Sequence, residues 1–156
     1  MTTSAITISR ADVERAAERI RPYIWPTPLI PSRWLSSVTS ADVRLKLEIV
    51  QATGSFKIRG ATNALLRLRE SEPDVRRAVT ASAGNHGQAM ALAAARTGIA
   101  LRVFVPETAP HAKLDAMRAL GAELVLTKSY EAPKRAHTRT HARTTFGISR
   151  RTATRM

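Results

Sequence analysis

Residues 78–106 read AVTASAGNHGQAMALAAARTGIALRVFVP, and the fold follows from how this stretch is punctuated. Ala78 to Ala81 is a short strand candidate, and Gly84 turns the chain. Asn85 to Thr97, rich in Ala, Met and Leu, reads as a buried helix. Gly98 stands where a helix ends in left-handed geometry. Ala100 to Val105 is a second strand, closed by Pro106. Two strands joined by a helix through such short links run parallel, with the helix laid across one face of their sheet.

The same alternation extends both ways. Upstream, Gly54-Ser55 breaks the chain, and Ile58, Ala61, Leu65 and Leu68 then fall on one helical face. Ser55 is the natural cap of that helix. Downstream, Pro110 to Leu120 reads as a helix with Gly121 after it, and Glu123 to Thr127 as a strand. Residues 56–127 therefore predict an α/β domain, a parallel sheet with flanking helices. Further back, Ser9 and Asp12 open a helix in which Val13, Ala16, Ala17 and Ile20 share a face and which Pro22 ends. The stretch PYIWPTPLIP, residues 22–31, must be extended. Val43 to Glu48 alternates apolar and charged residues as a half-exposed strand does.

A length of 156 residues with 44% apolar content suits one packed domain. The absence of cysteine excludes disulfides, thiolate metal sites and cysteine nucleophiles, and no metal site is expected. The N-terminus has no basic start leading into an apolar run. The longest small apolar run, Ala89 to Ala95, is too short to span a bilayer. These features predict a soluble, cytoplasmic protein with no membrane partner.

The net charge of +13 is unevenly spread: residues 1–130 carry 18 Lys/Arg against 11 Asp/Glu, residues 131–156 carry 7 against 1. Beyond about Tyr130 the pattern fails. Residues 131–156 contain no Leu or Val, hold six Thr, and follow no helical or strand period. This stretch reads as a disordered basic tail or as translation in a shifted frame, the abruptness of the change favouring the second.

Two junctions could carry chemistry. Residues 51–61 read QATGSFKIRGA and residues 80–88 read TASAGNHGQ. Each is a small-residue turn leading into a helix, where unpaired N–H groups and the positive dipole end suit anions. Ser82, Gly84, Asn85 and His86 could hold a carboxylate or phosphate. Lys57 stands in the first turn of a helix, where a cation meets the dipole unfavourably, which favours a nucleophilic amine. Spacing alone specifies an α/β domain with an anion site.

Together the two segments resemble the signatures of the fold type II pyridoxal-phosphate enzymes, specifically the serine/threonine dehydratase (threonine ammonia-lyase) and serine racemase group. Supporting features keep the right order: Thr27-Pro28-Leu29, VRLKLE ahead of QATGSFK, GNHGQA opening the next helix, Phe104 to Pro106, Lys113, and ALGAE from Ala119 to Glu123. The likeness covers roughly residues 8–130. It implies the small domain of the tryptophan-synthase-β-like fold, incomplete here. Residues 1–48 would be a helix and strap belonging to the large domain, 49–130 the small α/β domain, and 131–156 the basic tail.

The resemblance also implies roles. Lys57 would form the imine with pyridoxal 5'-phosphate and, once freed, remove the substrate's α-proton. Asn85 would hydrogen-bond the cofactor's 3-oxygen, and Phe56 would lie beside its ring. Ser82, Ala83, Gly84, Asn85 and His86 would form the substrate carboxylate loop. Racemases of this group carry serine where this chain has Ala83, so dehydration of L-threonine or L-serine is favoured. The family's glycine-rich phosphate cradle has no counterpart among the scattered glycines here. A truncated chain of low stability and little or no activity is therefore expected, with homo-oligomers known among relatives. Two other readings stay open: a dehydratase for another hydroxy amino acid derivative, as in ectoine utilisation, and a non-enzymatic basic protein that binds nucleic acid through its tail. No helix-turn-helix or aromatic ribonucleoprotein signature supports the latter, so no specific nucleic-acid partner is expected.

Overall fold

Ser9 begins the first helix as its side chain predicts. The computed structural model describes residues 7–128 and the backbone of residues 146–148, and in it α1 runs over Arg10–Ile20. The Ser9 hydroxyl accepts from the Asp12 amide at 3.2 Å, while the Asp12 carboxylate accepts from the Ser9 amide at 2.9 Å. This reciprocal box satisfies two amides that a helix start otherwise leaves unpaired. Of the face formed by Val13, Ala16, Ala17 and Ile20, only Ile20 is buried, and Val13 is 59% exposed.

The strap that follows is less extended than its prolines suggested, because Arg21–Tyr23 continues from α1 as a single 3-10 turn. Strand β1 (Leu29–Pro31) pairs antiparallel with β2 (Arg44–Lys46), Ile30 opposite Leu45. Between them lies α2 (Arg33–Thr39), which the sequence did not announce. It has no buried residue to make an apolar stripe. Its serines and threonine bond locally instead: Ser37 donates to the Trp34 carbonyl at 2.8 Å, and Thr39 to that of Leu35 at 2.7 Å. The expected strand from Val43 to Glu48 is shorter than its alternation implied, because Glu48–Val50 forms a single 3-10 turn.

The helix α3 (Lys57–Ser71) buries the predicted stripe, with Ile58 and Leu65 fully inaccessible and Ala61 and Leu68 nearly so. Its cap differs from expectation. Phe56 is the N-cap and makes no side-chain capping bond. Gly54 turns in the left-handed region at φ 64°, which lets helical geometry begin at Phe56. Ser55 is thereby buried beneath the turn, and its hydroxyl has no partner among the described residues.

Strand β3 (Arg77–Ala81), helix α4 (Asn85–Thr97), strand β4 (Ala100–Pro106), helix α5 (His111–Ala119) and strand β5 (Glu123–Thr127) follow the predicted order. The three strands are parallel in the order β5-β4-β3, with Thr80 beside Val103 and Val103 beside Leu124. A short strand β6 (Phe146–Ile148) adds antiparallel to the outer edge of β3. The rest of the stretch 131–156, expected as a basic tail, lies outside the described residues.

Helix α4 fits between α3 and the sheet because its contact positions are small: Ala89, Ala93 and Ala94 are buried around a fully buried Met90. Gly98 (φ 69°) and Gly121 (φ 81°) end α4 and α5 in the left-handed geometry that only glycine adopts without a penalty.

Candidate active site

The topology brings the two marked junctions to one edge. α3 runs back from its start to feed the amino end of β3 through a five-residue link, residues 72–76. Its first turn, with Lys57, therefore lies towards the carboxyl end of the strands. α4 leaves from the carboxyl end of β3, so the Ser82–His86 loop opens on the same side. Ligands of open α/β sheets bind at that edge.

Within the loop the backbone is tied down. The Ser82 amide donates to the Phe104 carbonyl at 3.1 Å, which extends the β3–β4 ladder by one residue. The Ser82 hydroxyl accepts from the Gly84 amide at 3.2 Å. Ala83 is buried at 5% exposure, and Gly84 is the N-cap of α4. The helix start leaves the amides of Asn85, His86 and Gly87 without carbonyls one turn earlier, aimed outward at the positive end of the dipole. Asn85 is exposed there, and Ser82 and His86 are half-buried. Gly87 allows the loop to close on the helix: a Cβ at this position would stand 2.3 Å from the Ser82 carbonyl oxygen.

On the facing junction Lys57 and Phe56 are both exposed, with the Lys57 Nζ 5.1 Å from the centre of the Phe56 ring. That is within reach of a cation–π contact. Lys57 also acts across to the loop. Burial pushes the His86 imidazole below its ordinary value of 6.5, and the charge of Lys57 pushes the same way. The buried Thr80 hydroxyl shares a hydrogen bond of 3.2 Å with His86 Nε2. Lys57 and His86, 29 positions apart in the chain, thus form one electrostatic unit.

A pH dependence follows. The unfolded chain protonates His86 near 6.5, the folded chain only at lower pH, so between those values the unfolded state binds the extra proton. Stability should decline as pH falls below about 6.5 and stop declining once the folded imidazole titrates. Imidazole resonances followed by NMR should place His86 below the ordinary histidine range, and Lys57→Ala should move His86 upward. An unchanged His86 titration in that variant would mean that the two junctions are not neighbours in solution.

A cluster that sequence reasoning missed lies just behind the lysine. Glu48 accepts from Arg59 Nε at 2.8 Å on one oxygen, and on the other from Arg59 Nη2 at 2.8 Å and the Thr27 hydroxyl at 2.6 Å. The Arg59 guanidinium above all holds the Glu48 carboxyl at about 2, against the opposing effect of burial, with Thr27 and Lys46 assisting. Thr27 and Glu48 were visible only as members of TPL and VRLKLE; nothing in their spacing to Arg59 announces contact.

Among the described residues no group of three or more His, Asp and Glu could hold a metal ion, and no helix is long and apolar enough to cross a membrane.

Comparison with known proteins bears on this geometry. A profile of the family described as pyridoxal-phosphate dependent enzyme matches residues 20–149. Serine racemase of Bos taurus is 46% identical over 143 residues, covering 90% of this chain and 43% of the relative. The catabolic L-threonine dehydratase TdcB of Staphylococcus aureus is 44% identical over 133 residues, covering 81% of this chain and 38% of the relative. The crystal structure of serine racemase from Dictyostelium discoideum superposes with a TM-score of 0.73 at 38% identity, over 80% of this chain and 40% of that one. The chain spans about two fifths of the length of the curated relatives it matches.

Proposed function

Because this chain belongs to the pyridoxal-phosphate-dependent enzyme family, we propose that it serves the dehydration of L-threonine or L-serine to a 2-oxo acid and ammonia. The observation that carries this reading is the pairing, on one sheet edge, of an exposed Lys57 with a loop whose Ala83 has no hydroxyl. The residues present fit the cofactor. An exposed primary amine meets its aldehyde, the Phe56 ring lies beside that amine, and the Asn85, His86 and Gly87 amides stand at a positive helix end. Ser55 adds a buried hydroxyl without a partner in the lysine's own turn. When bound, pyridoxal phosphate supplies the electron sink that makes a substrate α-proton acidic.

The chain's own groups do the rest. The free amides of Asn85, His86 and Gly87, at the end of the Ser82 to His86 loop, grip the substrate carboxylate, which orients the α-carbon. The Asn85 carboxamide would donate to the cofactor's 3-oxygen. Lys57 holds the cofactor and then takes the α-proton on its Nζ. With Ala83 in the loop, no side-chain hydroxyl at that position offers a proton to the opposite face of the α-carbon. Elimination of the β-hydroxyl as water then competes with inversion.

Racemase names among the relatives set the competing outcome. Incubation with pyridoxal phosphate and L-threonine or L-serine, with 2-oxo acid and D-isomer both assayed, distinguishes the two. Turnover should appear as 2-oxo acid. Accumulation of D-serine without 2-oxo acid would overturn the lyase reading.

The proposed layout keeps residues 1–48 as a strap that packs on further polypeptide and residues 49–130 as the α/β unit. In support, eight of the twelve large apolar side chains exposed among the described residues lie between Ile8 and Leu45, Trp34 at 72% among them.

A further inference from the structure

We infer that the Thr27–Glu48–Arg59 cluster is a positioning device for Lys57, one that locks the first turn of α3, and the lysine on it, to the strap. The inference rests on the reading of Lys57 as the cofactor lysine.

The start of α3 lacks ordinary restraint. Its N-cap makes no side-chain bond, and Ser55, the residue that could have capped it, is turned inward. Uncapped helix ends fray. The buried stripe begins at Ile58 and holds the body of the helix, but Lys57 lies at its outermost position. Arg59 fills the gap. It stands two residues beyond Lys57 in the same turn, and its amide donates to the Phe56 carbonyl at 3.1 Å. Its guanidinium fork meets both oxygens of Glu48 at 2.8 Å, a geometry that fixes rotation about the helix axis as well as distance.

Helix electrostatics do not account for an arginine here, since a cation at an N-terminus is unfavourably placed. Glu48 offsets that placement. The carboxylate is in turn held by Thr27, which is buried at 7% exposure. The Glu48 side chain is only 18% exposed and that of Arg59 35%, so solvent screens the pair less than a surface pair. Three chain segments, the strap at Thr27, the 3-10 turn at Glu48 and the first turn of α3, are joined at one carboxylate. Lys46 donates to the Thr27 carbonyl at 2.5 Å and closes the group.

The test compares the wild-type chain with Glu48→Gln and with Arg59→Lys, which keeps the charge but loses the fork. Thr27→Ser serves as the conservative variant that keeps the hydroxyl. One readout needs no cofactor. The amides of Ala61 and Thr62 bond to carbonyls in the first turn, so their hydrogen exchange reports whether that turn is closed. In Glu48→Gln and Arg59→Lys their exchange should quicken by about tenfold, while Leu65 and Leu68 exchange as before and Thr27→Ser behaves as wild type. The second readout is borohydride fixation of pyridoxal phosphate, mapped as the ratio of Lys57 to Lys113 and Lys128. That ratio should fall by about tenfold in the same two variants.

Unchanged exchange at Ala61 and Thr62 overturns the inference, as does quickened exchange along all of α3, which would mark a purely structural role. Quickened first-turn exchange with an unchanged lysine ratio overturns it too, since the clamp would then act on the turn but not on the lysine. A wild-type chain that fixes no cofactor at Lys57 overturns the reading of that lysine instead, and the exchange measurement still judges the clamp.

Discussion

Gly87→Ala should destabilise the chain by about 2 kcal/mol or more and disable its carboxylate loop. Two effects oppose each other. Replacing a helical glycine by alanine stabilises by about 1 kcal/mol through lost freedom of the unfolded chain. Against it stands the contact geometry. The new Cβ would lie 2.3 Å from the Ser82 carbonyl oxygen, 3.3 Å from its carbon and 2.9 Å from the Met117 sulfur. Met117 is fully buried, but its thioether can shift. The Ser82 carbonyl cannot move far, because the same residue's amide is bonded to Phe104 and its hydroxyl to Gly84. The backbone clash wins, and relief comes only by displacing the loop. Urea unfolding should show a lower midpoint, and the Ser82 to His86 resonances should shift most. A variant as stable as wild type would mean that the loop does not close on α4 as described.

Lys57→Ala should abolish selective cofactor fixation while leaving the fold intact. Lys57 is exposed and contributes nothing to the core, so stability should stay within about 0.5 kcal/mol of wild type. Removing a cation from a helix start is, if anything, favourable. With pyridoxal phosphate, the wild-type chain should develop a visible band, and borohydride should trap the adduct on Lys57. In the variant the band should be absent and residual adducts should scatter over Lys46, Lys113, Lys128 and Lys134. Any wild-type turnover should drop by at least about 100-fold, the usual scale for losing a general base. A persistent band with a single dominant lysine elsewhere would transfer the cofactor role to that residue.

The parts of the fold legible in the sequence were those whose signal is local and repeated. The α3 stripe needs only a helical period, and the strand–helix–strand unit from Arg77 to Pro106 is bounded by glycine and proline at the right places. Ser9 capped as expected because Asp12 stands in the reciprocal position. Ser55 did not cap, because its role depends on Gly54 and Phe56 starting the turn in advance, a backbone event that a serine's propensity cannot register. α2 and β1 escaped for a different reason: α2 buries nothing and is held by its own hydroxyls, and β1 takes its pairing from residues 13 or more positions away. At the site, Lys57 and the loop were legible as two helix starts. That they share an edge follows from the direction in which α3 runs, and the Glu48 cluster joins residues whose spacings of 11 and 21 carry no periodic meaning.

The order in which these pieces can form is written into their spacing along the chain. The strands β3, β4 and β5 and the helices between them contact sequence neighbours, so this unit can assemble soon after it is made. α1 is made before them, yet its Arg19 bonds to α3 wait for Asn63 and Glu70, 44 and 51 residues later, each reached at 2.9 Å. On a ribosome that delivers the chain from its N-terminus, α1 emerges with no partner surface among the described residues until α3 follows it, and the strap is a late addition to an early nucleus.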